Sequence, residues 1–151
     1  MSFKQKNTTV SLVSFSLILG FYLLRIVQML QNETFSAAQV FRLWVIVIAL
    51  AIFATIAAII LTHILSAVIQ AARTGDEDSQ IDDLEDERDK LIDLRGTAVT
   101  YTVSSTGVFL AMLTFVLGQP PLVMFALLIF FGVAAQIVGD VARLLLYRRG
   151  F

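Results

Sequence analysis

Four long apolar stretches, each broken by only a few polar residues, set the pattern of this chain: Val10 to Leu30, Leu43 to Ile69, Val99 to Leu117 and Leu122 to Leu146. Each is about as long as the roughly 20 residues a helix needs to cross a bilayer. A soluble domain of this size has no core able to hide four such runs. The pattern predicts an all-α membrane protein, a four transmembrane helix bundle with helices over about 10–30, 43–72, 97–117 and 121–147, forming one membrane domain. The second stretch has 27 residues, about 40 Å at the helical rise, so its helix tilts or emerges beyond the lipid. Between the third and fourth, Gly118-Gln119-Pro120-Pro121 reads as a tight turn: proline cannot extend the helix before it but starts the next one well.

The segment 76–95, DEDSQIDDLEDERDKLIDLR, breaks this pattern. It holds ten of the chain's twelve acids and only three basic residues, Arg88, Lys90 and Arg95. Ile81, Leu84, Leu91 and Leu94 recur at spacings of three and seven, a thin apolar stripe on an otherwise acidic helix. A short acidic cytosolic helix between helices two and three is therefore expected. Its acids make it a candidate docking surface for a basic cytosolic protein, with Asp82, Asp83, Glu85, Asp86, Glu87, Arg88 and Asp89 as the contact residues. The plain alternative is a solvated loop. A calcium loop fits poorly: Asp76, Asp78, Asp82 and Glu87 fall at positions one, three, seven and twelve, but the sixth position, which needs glycine, is Ile81.

Composition sharpens the class. Hydrophobic residues make up 58% and charged residues 15%, against about half and a quarter in soluble domains. No cysteine is present, which removes disulfides, thiolate metal sites and thiol nucleophiles. One histidine removes a histidine-rich metal site within one chain. No phosphate-binding glycine loop or nucleophile elbow occurs, so a non-catalytic protein without cofactor is expected. The acidic surface argues against direct nucleic-acid binding.

Basic residues near helix ends set orientation. Lys4, Lys6, Arg73, Arg88, Lys90, Arg95, Arg143, Arg148 and Arg149 fall on one side, Arg25 and Arg42 on the other. Both termini and the acidic segment are therefore expected in the cytosol, with the chain a multi-pass protein of a cytoplasmic membrane. Small residues four apart, such as Ala54 and Ala58 or Gly107 and Ala111, allow close helix approach and make a homo-oligomer a candidate assembly.

Polar groups at membrane depth are costly and point to function by default. His63, Ser104, Asp140 and Arg143 form a candidate buried layer in the cytosolic half. A His63–Asp140 pair there would suit proton sensing or a small transporter or channel subunit. In the competing reading, Asp140 pairs with Arg143 one turn on, while His63 satisfies a serine or a backbone carbonyl.

The run Asp86-Glu87-Arg88-Asp89-Lys90-Leu91-Ile92-Asp93-Leu94-Arg95-Gly96 resembles the DERD-x-x-I-x-x-x-G signature of a family of small bacterial four-helix membrane proteins. That family is of unknown function, and its members are often encoded beside small helix-turn-helix regulators. The resemblance covers eleven residues and implies a bacterial inner-membrane protein of this layout, in which Asp86, Glu87, Arg88, Asp89 and Ile92 matter. A motif placed just before a membrane helix can also act as a structural latch, pairing with Arg73, Arg143, Arg148 or Arg149.

Overall fold

The computed structural model describes residues 3–73 and 87–148. They form four helices: α1, Phe3–Gln31; α2, Ala37–Arg73; α3, Glu87–Val116; and α4, Pro121–Arg148. All four contain stretches long and apolar enough to cross a membrane. Large apolar side chains lie exposed along every helix, among them Leu17, Phe53, Phe109 and Val116. Water would not tolerate that surface, whereas lipid requires it.

The helices are longer than the apolar runs alone suggest. α1 has 29 residues and α3 has 30, about 45 Å each at 1.5 Å per residue, so both project beyond a hydrocarbon core of about 30 Å. The acidic stretch enters the described residues only at Glu87, and from there to Arg95 it is continuous with α3. Residues 87–95 are thus the first turns of a helix long and apolar enough to cross a membrane, with Glu87 and Asp89 in the first turn, where the helix dipole favours negative charge.

Two turns at one end of the molecule share a capping arrangement. At the end of α3, the Gln119 N–H donates to the Thr114 carbonyl at 3.1 Å and the Gly118 N–H to that of Phe115 at 3.0 Å, with Gly118 at φ 85°. This is the glycine-centred helix stop. The end of α1 repeats it: Thr34 N–H to Met29 O at 2.9 Å and Glu33 N–H to Leu30 O at 3.4 Å. There Glu33, not glycine, takes the left-handed position, at φ 55°.

α3 packs along α4, α4 along α1, and α1 along α2, while α2 meets α4 only lightly. The apolar core lies toward the turn end, where Ile18 and Tyr22 of α1, Val40, Leu43 and Val47 of α2, and Ile129 and Val133 of α4 cluster. The Tyr22 hydroxyl donates to the Ala126 carbonyl at 2.6 Å, so the phenol keeps its polar end satisfied inside that core. Toward the opposite end, Asn7, Ser11, Gln136, Asp140 and Arg143 bring polar groups between the helices, with Ala54, Ala58 and Ile59 of α2 along one wall.

Candidate functional site

On α4, Gln136, Asp140, Arg143 and Tyr147 recur at spacings of four, three and four, which places them on one face. That face looks into the polar space. Asp140 is 3% exposed and is the charged residue buried in the core among the described residues. Its carboxylate accepts three hydrogen bonds: from Ser11 Oγ at 2.6 Å, from Arg143 Nη1 at 3.1 Å and from Gln136 Nε2 at 3.2 Å. An isolated buried carboxylate is costly, and paired, multiply bonded geometry offsets that cost.

Arg143 is the hub. Besides Asp140, its Nε donates to Asp93 Oδ1 at 2.9 Å and its Nη2 to Thr97 Oγ1 at 2.8 Å. One planar fork therefore serves three partners on two helices, a task a point-charge lysine cannot perform. With Ser11, the network ties α1, α3 and α4 together.

Two glycines make room for it. A Cβ on Gly96 would collide with the Arg143 side chain, and one on Gly139 would collide with Thr100. Thr100 in turn donates to the Gly96 carbonyl at 3.1 Å. Farther along, a Cβ on Gly107 would strike Phe131. The α3–α4 interface is thus close backbone approach through small residues, the usual route to tight packing where lipid supplies no hydrophobic drive.

Beside the network lies a cavity of about 330 Å³, walled by Asn7 and Ser11, by Ala58 on α2, and by Asp93, Asp140 and Arg143. Asn7 Oδ1 is shut off from solvent with no hydrogen-bond partner among the described residues. The side of the cavity formed by α2, through Ala54, Ala58 and Ile59, is mostly apolar.

The expected layer is only partly assembled here. Asp140 and Arg143 are bonded to each other. His63 is exposed on α2 and does not line the cavity; Ser104 is half-buried on α3, also outside it. Of the expected docking residues, Glu87 and Arg88 are exposed and Asp89 is half-buried, while Asp82, Asp83, Glu85 and Asp86 lie outside the described residues. Asp93, within the acidic stretch, makes the ion pair with Arg143 that a latch requires. From the DERD-like motif, Ile92 is buried at 2% exposure and Gly96 is the residue that admits Arg143.

Sequence reading did not single out Ser11, Asn7, Asp93 or Thr97 for this site. The available signal was helical spacing: Asn7 and Ser11 are one turn apart, as are Asp93 and Thr97, so each pair shares a face. No group of three or more metal-ligating side chains occurs among the described residues. Compared with protein-family models, curated proteins and solved structures, the chain matches none.

Proposed function

We propose that this chain is a non-catalytic regulatory or sensory anchor of a bacterial cytoplasmic membrane, with both termini cytosolic, whose acidic segment docks a basic cytosolic protein. The observation that supports it most is the junction at Asp93. The side chain of Asp93 is 62% exposed, yet it is held at 2.9 Å by Arg143, whose own side chain is 15% exposed and reaches the buried Asp140. An acid-rich segment that is mechanically joined to the bundle suits a surface that must report on, or be held by, the membrane domain. Its local charge of −7, from ten acids and three bases between Asp76 and Arg95, is repelled by an anionic leaflet and attracts a basic protein.

The test separates docking from latching. Changing Asp82, Asp83, Glu85 and Asp86 to Asn or Gln is expected to abolish salt-sensitive recovery of the same identified cytosolic proteins that the wild type retains. The melting temperature is expected to stay unchanged. Lost stability with unchanged recovery would leave the segment a latch and remove the docking role.

The cavity beside Asp140 favours a second reading, a small transporter or channel subunit. Its layer would be Asp140, Arg143, Ser11 and Gln136, with His63 and Ser104 outside the pocket. Reconstituted vesicles in which Asp140→Asn leaves ion flux unaltered would remove it.

A further inference from the structure

At the turn end of the molecule, a second cleft of about 300 Å³ opens between α1 and α2. Its polar residues are Arg25, Gln39 and Arg42, and it is lined by no acid. Arg25 makes only a long contact to Gln28 Oε1, 3.4 Å, and stands over the Phe21 ring at 5.4 Å. Among the described residues neither arginine has a carboxylate within ion-pairing distance. The acid nearest in sequence, Glu33, sits in the α1–α2 turn and is not part of the cleft. The rest of the wall is apolar: Phe21 and Met29 from α1, Leu43 and Ile46 from α2.

Depth fixes what this cleft meets. Arg25 lies six residues before the end of α1, and Arg42 five residues after the start of α2, about 9 Å and about 8 Å from the helix ends. With the α1–α2 turn at the membrane surface, that is the boundary layer between headgroups and acyl chains, which adds about 5–8 Å to each side of the hydrocarbon core. Two guanidinium groups without counter-charge at this level demand an anion, and the planar fork suits phosphate oxygens. The start of α2 adds to the same potential, because its first turn carries no acid and its first N–H groups have no intrahelical acceptor.

We propose that this cleft binds an anionic phospholipid, its phosphate held by Arg25 and Arg42 and an acyl chain lying along Phe21, Met29 and Ile46. The site is independent of the described acidic residues 87–95 and of the Asp140 cavity, which lie at the opposite end. A zwitterionic lipid fits less well, because its ammonium group enters a field that is already positive. Free phosphate fits less well too, because it leaves the apolar wall uncovered.

The experiment uses the delipidated full chain in a neutral detergent, titrated with phosphatidylglycerol, phosphatidylcholine or inorganic phosphate. Retained lipid is read by native mass spectrometry and stability by thermal melting. Phosphatidylglycerol is expected to give a saturable adduct and a raised melting temperature; the other two are not. Arg25→Gln with Arg42→Gln is expected to weaken the adduct roughly tenfold or more. The lipid-free melting temperature should hold, since both side chains are exposed. Arg42→Gln alone should fall between, and Arg148→Gln, at the other end, should retain the lipid fully. An equal response to phosphatidylcholine or to inorganic phosphate would overturn the proposal. So would an adduct that survives the double substitution or is lost in Arg148→Gln.

Discussion

Glu33 and Gly96 show how single positions carry the backbone of this protein. Glu33 holds a left-handed conformation, φ 55°, that costs a side-chain-bearing residue about 1–2 kcal/mol. Gly118 fills the same capping role at the end of α3 at φ 85°, with no such cost. Glu33→Gly is therefore expected to stabilise the chain by about 0.5–1 kcal/mol after the entropy of glycine is counted, measurable as a later midpoint in SDS-driven unfolding from mixed micelles. Gly96 is the opposite case. A methyl group there meets the Arg143 side chain, so Gly96→Ala must push the guanidinium off its partners. Gly132→Ala places its methyl in open space and is the matched control. The first substitution is expected to destabilise by about 1–3 kcal/mol and the second not at all; equal midpoints would mean Arg143 moves aside without cost. The turn at Gly118 was readable from Gly-Gln-Pro-Pro. The left-handed backbone at Glu33 was not, because glutamate carries no signal for a positive φ.

Among the elements, α4 was legible as a span but its role as organiser was not. The sequence marks Asp140 and Arg143 as polar intrusions into an apolar run, and one turn of spacing suggests that they pair. It offers Arg143 as one of four arginines able to pair with the motif before α3, but it does not single out Asp93 and Thr97 as the partners across the helix interface. That contact depends on the close approach allowed by Gly96 and Gly139, a tertiary fact. His63, conspicuous in the sequence, is exposed on α2 and does not line the cavity. Among the described residues, it is α1 that reaches Asp140 from another helix, through Ser11. The hub makes a definite prediction. Arg143→Lys keeps the charge but cannot hold Asp140, Asp93 and Thr97 together, and should lose about half or more of the stability lost in Arg143→Ala. That loss is about 3 kcal/mol, because Asp140 is left buried without its cation. A double-mutant cycle between Arg143→Ala and Asp93→Ala should show coupling of about 0.5–1 kcal/mol, since Asp93 is largely exposed. Full stability in Arg143→Lys would reduce the network to simple charge balance.

At the scale of the whole molecule, four contacts fix which helix ends lie together. Ser11 meets Asp140 and Asp93 meets Arg143, so the beginnings of α1 and α3 and the end of α4 share one end. Tyr22 meets Ala126, and Phe125 lies 6.1 Å from Trp44, ring to ring, so both hairpin turns share the other. The charge count assigns sides to these ends: nine lysines and arginines at the first, Arg25 and Arg42 at the second. Basic residues resist translocation, whereas acids contribute little. The first end, with the acidic segment, is thus expected in the cytosol in spite of its local negative charge. The absence of native cysteine makes the test clean, because each introduced thiol is the sole label site. Gln119→Cys, in the exposed α3–α4 turn, should react with a membrane-impermeant maleimide on intact cells. Ser79→Cys, between α2 and α3 in the sequence, should react only after the membrane is opened. The reverse pattern would place the acidic segment outside the cell, where no cytosolic partner could reach it. It would also turn the arginine cleft toward the inner leaflet, leaving its lipid chemistry intact but changing which leaflet supplies the lipid.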